Sequence, residues 1–268
     1  MPVRIVQSKQ NARLKELRRT LAQPGRSAEG VAGIEGPNLV GEAVRTGLAI
    51  ECVFAAQDAE RLLDELKLDA QTEVLLVPAD ILASALVTET PQPVAALVRP
   101  REWTWSDVLG AGRSIAPLVL VLAGLQDPGN LGTILRSAEA FGATGVVALP
   151  GTVNEWNPKA VRASAGSVFR VPLVATSVEV CFARLREAGI GAWTTAVRDA
   201  VGVTSADLTH AAALVIGNEG NGVPREVALR ADYALTIPCP GPVESLNAAV
   251  AASVLLYEAA RQRGEGVR

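Results

Sequence analysis

The chain has 268 residues, a net charge of −3, 49% hydrophobic residues and only 4% aromatic ones. This length suits a small domain followed by a larger one, and a core of Ala, Val, Leu and Ile is typical of α/β proteins with buried parallel strands. No apolar run exceeds about half of the roughly 20 residues that span a bilayer, and the charged N-terminus lacks a secretory core, so we expect no membrane span and a cytoplasmic location. The three cysteines are far apart and predict neither a metal site nor a disulfide framework.

Residues 1–99 predict a small α/β domain. Between Gln7 and Ala22, three leucines recur at helical spacing among basic residues, which indicates a basic amphipathic helix. The elements expected after it are a turn and a helix in GIEGPNLVGEAVRTG, a strand in ECVFAA, a helix over Glu60–Leu66, and strands in EVLLVP and VAALVR. A linker is expected over residues 100–116, where the sequence becomes irregular. Its Trp103 and Trp105 suit base stacking or packing against one domain, and packing is favoured.

Residues 117–268 predict a second domain in which strands and helices alternate. Strands are expected in PLVLVLAGL, GVVALP, VPLVAT, GAWTTAV, ALVIG and YALTIP. Helices are expected over Asn130–Phe141, Pro158–Val168, Val178–Ala188, Pro224–Arg230 and from about Leu246 to Arg263. Such alternation is typical of a parallel sheet covered on both faces, in which ligands bind at the carboxyl ends of the strands.

The first unusual loop at a strand end is GLQDPGNLGTILRSAEAFG, which leads into a helix that Asn130 is expected to cap. The apolar residues of this helix form a stripe that leaves Arg136 on another face. Arg136 is therefore either an exposed surface charge or a cation suited to a phosphate or ribose oxygen.

The second loop, LVIGNEGNGVPREV, has glycines at positions 217, 220 and 222 directly after an apolar strand. Their order is G-x-x-G-x-G, which differs from the dinucleotide fingerprint, and the loop also lacks the Lys-Ser/Thr pair of a phosphate loop. We interpret it as a loop made for close backbone approach to a ligand, with a plain tight turn as the alternative. The same glycine order argues against an NAD-linked oxidoreductase.

The third loop and its helix lie in IPCPGPVESLNAAVAASVLLYEAARQR. Prolines stiffen the loop, and Ser245 or a neighbour is expected to cap the helix. Its apolar face is expected at Leu246, Val250, Val254 and Tyr257. The many alanines favour close contacts, either within the fold or against a second subunit, and the polar start of the helix is a ready site for an anion.

Two basic stretches stand out in this acidic chain. Residues 1–20 contain six cations and one acid, and Pro158–Pro172 contains three cations and no acid. Each stretch is either a solvated helix face or a patch that neutralises RNA phosphates. The cations expected to bind RNA are Arg13, Lys15, Lys159 and Arg162.

Taken together and in this order, NLGTILRSAEAFG, LVIGNEGNGVPREV and IPCPGPVESLNAAVAASVLLYEA resemble the three motifs of the SpoU/TrmH family of RNA 2′-O-ribose methyltransferases. NPKAVRASAGSVFRVP is similar to the family's segment between the first two motifs. GIEGPNLVGEAVRTG and TPQPVAAL are similar to its N-terminal RNA-binding domain. The resemblance implies an α/β fold in which the parallel sheet of residues 117–268 ends in a C-terminal trefoil knot, preceded by a small α/β RNA-binding domain over residues 1–99.

The resemblance also implies S-adenosylmethionine as the methyl donor, a homodimer, and an RNA substrate. Ribosomal RNA is preferred over transfer RNA because of the separate N-terminal domain. Residues whose backbone is implied to contact the cofactor are Thr195, Gly217, Ile237 and Leu246. The implied catalytic group is Arg136, contributed across the dimer, with Asn130, Glu219, Ser245 and Asn247 around it. Cys239 departs from the family, which usually has methionine at this position.

Methyl transfer from a sulfonium is an in-line displacement, so the enzyme must hold a ribose hydroxyl near the methyl group and promote loss of its proton. A guanidinium keeps its own proton. We therefore expect Arg136 to bind the phosphate and stabilise the developing alkoxide instead of acting as the base. Glu219 is expected to order the pocket loop, and Asn247 to position the RNA or the helix start. The alternative function is a non-enzymatic RNA-binding or ribosome-binding protein.

Overall fold

The strands of the computed structural model form two separate sheets. The structure describes residues 2–23, 25–196, 199–218, 220–243 and 245–264. The chain divides into two units, one of Met1–Glu102 with Asn154–Arg170 and the other of Trp103–Val153 with Val171–Arg268. These units differ from the predicted domains in two places, because residues 154–170 belong to the first unit and residues 103–116 to the second.

The first unit contains a five-stranded mixed sheet. Its strands are β1 (Val3–Ile5), β2 (Ala32–Glu35), β3 (Ala49–Ala56), β4 (Glu73–Val77) and β5 (Val94–Arg99). The helices before residue 100 are α1 (Ala12–Ala22), α2 (Pro37–Arg45), α3 (Leu62–Leu66) and α4 (Ala79–Ala83), with a short 3-10 turn at Gln57–Ala59. The strand order is β1-β4-β3-β5-β2. β1, β4 and β3 are parallel, whereas β5 is antiparallel to β3 and β2.

Helix α1 is the predicted basic amphipathic helix. The leucines that it buries are Leu14, Leu17 and Leu21. It begins at Ala12, not at Gln7, because Asn11 caps it: the side-chain oxygen of Asn11 accepts from the backbone N–H of Arg13 at 2.9 Å and of Leu14 at 3.3 Å. The helix prediction is therefore confirmed and its start is corrected.

Strand β2 lies where the sequence predicts a turn. All four of its residues are buried. A Cβ atom on Gly33 would lie 2.7 Å from Thr20 Oγ1 and 2.9 Å from Leu21 Cγ. The glycine therefore permits α1 to pack directly on the strand and does not end it, which is why the GIEG pattern was misleading.

The second unit is built on a seven-stranded sheet. Its strands are β6 (Leu118–Leu122), β7 (Gly145–Ala148), β8 (Leu173–Ala175), β9 (Gly191–Thr195), β10 (Val201–Gly202), β11 (Ala212–Ile216) and β12 (Tyr233–Thr236). The remaining helices are α5 (Trp105–Val108), α6 (Pro128–Ala140), α7 (Pro158–Ser164, in the first unit), α8 (Val178–Glu187), α9 (Arg225–Ala228) and α10 (Ala248–Gln262). Short 3-10 turns occur at Ser167–Phe169 and Val203–Ser205.

All strand pairs of this second sheet are parallel, which confirms the predicted parallel α/β fold. The order is β10-β12-β9-β11-β6-β7-β8. The C-terminal trefoil knot stays a prediction. Within the described ranges, no helix is long and apolar enough to cross a bilayer.

The predicted linker is not an open connection, because part of it folds as α5. Thr104 caps this helix in a reciprocal pair with Asp107. Val108 is fully buried in the core of the second unit, and Trp105 packs against the same core. A Cβ on Gly145 would lie 2.6 Å from Val108 Cα, so the first residue of β7 must be small for α5 to fit.

Helix α10 buries a different face from the predicted one. The predicted stripe is largely on the surface of the unit, since Val250 and Tyr257 are 49% and 56% exposed. The apolar residues that α10 buries are Ala248, Ala249, Ala252, Leu255, Leu256, Ala259 and Ala260. The alanines permit a close approach to α6, where the hydroxyl oxygens of Ser137 and Ser253 are 2.7 Å apart. Apolar residues occur on several sides of this helix, so its periodicity allowed more than one buried face.

The end of α10 carries a polar network that we expect to affect acid stability. Hydrogen bonds from Arg261 and Gln262 hold the pKa of Glu258 down at about 2. A carboxylate whose pKa is lowered by folding stabilises the fold at every pH above the usual carboxyl pKa. That stabilisation is lost as the pH falls towards 2. Because the Arg261 side chain is 56% exposed and water screens the pair, we expect a contribution of about 1 kcal/mol.

Urea denaturation at pH 7 and pH 3 tests this expectation. The free energy of unfolding should fall on acidification, and Glu258→Gln should reduce that fall by about 1 kcal/mol. Arg261→Gln should reduce it similarly, because the guanidinium is the main cause of the lowered pKa. An equal fall in all three proteins would contradict the assignment to Glu258.

Candidate active site

The predicted functional loops all leave the carboxyl ends of neighbouring strands. β12, β9, β11 and β6 lie side by side in that order, and the last residue of β11, Ile216, pairs with Leu122 at the end of β6. Every residue of β6 and β11 is buried, so these two strands form a rigid centre. The loops of the first and second motifs therefore begin next to each other.

In the first motif, Asp127 caps helix α6 and Asn130 does not. The Asp127 carboxylate accepts from the backbone N–H of Asn130 at 2.8 Å, and Pro128 occupies the first helical turn. The prediction of Asn130 as the cap is therefore wrong. Because Asp127 takes this role, the Asn130 side chain points elsewhere and accepts a hydrogen bond from the third motif.

In the third motif, Asn247 is the neighbour of Ser245 that caps α10. Its side-chain oxygen accepts from the backbone N–H of Ala249 at 2.9 Å and of Val250 at 3.2 Å. Its amide nitrogen donates to Asn130 Oδ1 at 3.0 Å. This bond joins two of the predicted catalytic residues across 117 residues of sequence. Ser245 is exposed beside them.

Arg136 is not brought to this pair of amides within one chain. Six residues along α6 separate it from Asn130, which corresponds to about 9 Å of rise and a different face of the helix. Arg136 is exposed and makes no hydrogen bond or ion pair with any residue that the structure describes. Within the chain, Arg136 is therefore a cation on the surface of α6.

The second motif forms a tight loop that closes on itself. The backbones of Asn218 and Gly222 exchange two hydrogen bonds of 2.9 and 3.0 Å. A Cβ on buried Gly217 would lie only 2.1 Å from the carbonyl carbon of Gly222 and 2.2 Å from the nitrogen of Val223. The close backbone approach predicted from the glycines thus occurs within the loop itself. Glu219, predicted to order this loop, lies outside the described residues.

The other predicted cofactor residues lie at the same edge of the sheet. Thr195 ends β9, and its hydroxyl donates to the backbone oxygen of Val215 at 3.2 Å. Ile237 follows β12, and Leu246 precedes α10; both are half-buried. Half-buried apolar side chains suit a ligand with an apolar ring.

Comparison with known proteins identifies the family. A model of the SpoU rRNA methylase family matches residues 117–257. The chain belongs to the SpoU rRNA methylase family. A second model, of the MRM3-like substrate binding domain, matches residues 11–96.

Similar proteins cover almost the whole of this SpoU chain. The 23S rRNA (guanosine(2553)-2′-O)-methyltransferase RlmP of Bacillus subtilis is 32% identical over 252 residues, which is 94% of this chain and 97% of the relative. The crystal structure of the SpoU methyltransferase AviRb from Streptomyces viridochromogenes, in complex with AdoMet, is 30% identical with a TM-score of 0.83, covering 96% of this chain and 100% of that one. An AdoMet-bound rRNA methyltransferase from Sinorhizobium meliloti is 27% identical with a TM-score of 0.82, covering 97% and 98%.

These findings confirm the resemblance to the SpoU/TrmH family and the reaction class that it implied. The SpoU protein is an RNA 2′-O-ribose methyltransferase with S-adenosylmethionine as methyl donor. Half-buried Ile237 and Leu246 fit this cofactor, because they offer apolar surface for an adenine ring. The individual site residues stay predictions.

The cations predicted to bind RNA are spread over two helices of the first unit of this methyltransferase. Lys15 on α1 is exposed, as are Lys159 and Arg162 on α7. Arg13 differs because carboxylates surround it, with Glu16 at 3.3 Å and Glu51 and Glu73 both at 4.0 Å. Part of its charge is therefore already neutralised within the unit, so we expect Arg13 to contribute less to phosphate binding than Lys15.

Sequence reasoning missed two polar residues of the site. Asn218 donates from Nδ2 to the backbone oxygen of Gly124 at 2.9 Å, and Thr152 Oγ1 accepts from the backbone N–H of Gly124 at 3.2 Å. The sequence around each residue does not predict its role, since both residues bind a glycine that is distant in sequence.

Proposed function

We propose that this methyltransferase acts on ribosomal RNA in the cytoplasm as a homodimer. The observation that carries the active-site assignment is the hydrogen bond between Asn247 and Asn130, which unites the first and third motifs at the carboxyl edge of the sheet. The substrate proposal is supported by the name of the Bacillus subtilis relative and by the match to a substrate-binding domain over residues 11–96.

The residues of the chain divide the work of the reaction. When bound, S-adenosylmethionine would supply a methyl group on a sulfonium: the ribose 2′-oxygen takes the methyl, the sulfur keeps the electrons of the broken C–S bond as a neutral thioether, and the hydroxyl proton passes to solvent. Backbone groups near Thr195, Gly217, Ile237 and Leu246 hold the cofactor at this edge of the sheet. The paired amides of Asn130 and Asn247 fix the start of two helices against which the ribose is placed. The polar side chains proposed to complete the site are Glu219 and Ser245.

Arg136 is proposed to enter the site from the partner subunit. On α10, Val250 and Tyr257 present an exposed apolar stripe, and Tyr257 packs edge-on against Phe141 at the end of α6, the helix that carries Arg136. Such a surface favours burial against a second copy. A two-fold interface there brings the α6 helix of one protomer near the site of the other. Arg136 then binds the RNA phosphate and stabilises the alkoxide as it forms.

Methyl-labelled S-adenosylmethionine tests the proposed reaction on unmodified ribosomal RNA and on transfer RNA. Alkali cleaves RNA only beside a free 2′-hydroxyl, so the expected result is label in alkali-resistant dinucleotides from ribosomal RNA. Label in transfer RNA only would mean that transfer RNA, and not ribosomal RNA, is the substrate. Label in alkali-sensitive nucleotides would mean base methylation and overturn the reaction, and RNA binding without label would indicate a non-enzymatic binder.

A matched variant connects this assay to the site. Asn247→Asp keeps the oxygen that caps α10 but replaces the amide that donates to Asn130. Asp is as good an N-cap as Asn, so the melting temperature should change little. The rate of methylation should fall at least about ten-fold, as expected for loss of a positioning hydrogen bond. An unchanged rate would show that the hydrogen bond between Asn247 and Asn130 does not contribute to methyl transfer.

A further inference from the structure

Gly124, at the exit of β6, is held from both sides by side chains of other loops. It has a φ of 75° and stands three residues before Asp127, the cap of α6. Its N–H donates to Thr152 Oγ1 at 3.2 Å, and the same hydroxyl donates to the backbone oxygen of Leu122 at 2.9 Å. Its carbonyl accepts from Asn218 Nδ2 at 2.9 Å. Both polar backbone groups of this glycine are therefore fixed by side chains.

Asn218 holds the second-motif loop with its other atom. Its Oδ1 accepts from the backbone N–H of Gly220 at 2.8 Å and of Asn221 at 3.4 Å. Its own backbone pairs with Gly222 in both directions. One half-buried amide side chain therefore orders the turn of the loop with its oxygen and ties that turn to the first-motif loop with its nitrogen.

We propose that Asn218 is a positioning residue that sets the cofactor loop against the loop leading into α6, acting through the carbonyl of Gly124. The two loops begin at adjacent strand ends, and the hydrogen bond from Asn218 to Gly124 joins them directly. A cofactor held by the backbone of Gly217 requires this loop at a fixed distance from the first motif. Asn218 supplies that distance, and Thr152 holds Gly124 from the opposite side.

The inference rests on the proposed cofactor site, and one substitution separates the two functions of the amide. Asn218→Asp keeps an oxygen for the N–H groups of Gly220 and Asn221 but places a carboxylate oxygen against the Gly124 carbonyl. The turn is kept and the connection between the loops is broken. We expect the Kd and KM for S-adenosylmethionine to rise about ten-fold, with kcat at saturating cofactor within about three-fold of the original and the KM for RNA unchanged.

Thr152→Val provides a second, nearly isosteric variant that removes the hydroxyl holding the Gly124 N–H. Because both side chains act on one glycine, the double variant should raise the Kd for S-adenosylmethionine by clearly less than the product of the two single effects. A purely structural role would instead lower the melting temperature and leave the Kd unchanged. Asn154→Asp is the matched control, since its oxygen also accepts a local backbone N–H, that of Trp156 at 2.8 Å, but in the first unit. It should leave the Kd unchanged.

Calorimetric titration of S-adenosylmethionine into the full-length proteins distinguishes the possible failures. If the unsubstituted chain binds the cofactor and Asn218→Asp binds it equally well, the positioning role is wrong and the proposed function stands. Multiplicative effects of Asn218→Asp and Thr152→Val would also overturn it, because they would show that the two side chains act independently. If the unsubstituted chain does not bind S-adenosylmethionine, the proposed cofactor site itself fails.

Discussion

Gly217→Ala should weaken S-adenosylmethionine binding and reduce methylation together. The added Cβ would lie 2.1 Å from the carbonyl carbon of Gly222, 2.2 Å from the nitrogen of Val223 and 2.4 Å from the oxygen of Gly222. These are backbone atoms, so no rotamer change relieves the overlap, and the loop has to open. Opening breaks the paired hydrogen bonds between Asn218 and Gly222.

The expected magnitude follows from the loss of the loop conformation. Steric overlap in a packed region costs about 1–3 kcal/mol. If the closed loop is the form that binds the cofactor, its population falls by a factor of about 5 to 150 and the apparent Kd rises by the same factor. Isothermal titration gives the Kd, and the labelled assay gives the rate.

Gly220→Ala is the matched comparison within the same loop. Among the described residues, its Cβ would meet the side-chain oxygen of Asn218 at 3.5 Å, which is an ordinary contact. We expect a far smaller loss of cofactor binding than for Gly217→Ala. Equal losses in the two variants would mean that something other than this overlap makes the loop intolerant of substitution. Equal retention would exclude the closed loop as a wall of the cofactor site.

The architecture of the second unit was predictable because its strands are short apolar runs separated by turn residues and amphipathic helices. The parallel pairing followed from the alternation itself. Strand order did not, because nothing local in Gly191–Thr195 or Tyr233–Thr236 specifies that these strands pair with each other. The motifs could be placed at strand ends from the sequence, but their adjacency depends on that order.

Helix ends show where local rules compete. DPGN offers both Asp127 and Asn130 as caps, and the better indicator was Pro128, which favours the first turn of a helix and so identifies the residue before it as the cap. In α10, Ser245 and Asn247 competed in the same way, and only the structure shows that Asn247 has the cap geometry.

Long-range contacts account for what sequence reasoning missed. Asn218 and Gly124 are 94 residues apart, and Thr152 and Gly124 are 28 apart. No periodicity or spacing connects such residues. The partition of residues 154–170 into the first unit is similar, because the ion pair of 2.6 Å between Arg170 and Glu42 spans 128 residues.

Arg136→Ala should reduce kcat for RNA methylation by about 10²–10³-fold, the range seen when one group that stabilises a developing oxyanion is removed. Arg136 is exposed and lies on the surface of α6, so the melting temperature should change little. Arg136→Lys keeps a positive charge but loses the planar, two-pronged guanidinium. It should therefore retain measurable activity, between the original chain and the alanine variant.

The lysine variant tests the electrostatic role of Arg136. If Arg136→Lys were as inactive as Arg136→Ala while RNA binding stayed undisturbed, charge stabilisation would be the wrong account of this residue. RNA affinity, measured by filter binding, controls for loss of the phosphate contact. A fall in affinity alone, with kcat unchanged, would assign Arg136 to binding and remove it from the chemical step.

Mixing two impaired variants tests whether Arg136 acts across a dimer. Asn247→Asp retains Arg136 and lacks the amide pair, whereas Arg136→Ala retains the amide pair and lacks the cation. If each site takes its amides from one protomer and its arginine from the other, a mixed dimer contains one complete site. After unfolding and refolding together, random assortment should then restore about a quarter of the original activity, because half of the dimers are mixed and each has one active site of two. If Arg136 served its own chain, no complete site would form and the activity of the mixture would stay at the mean of its two components.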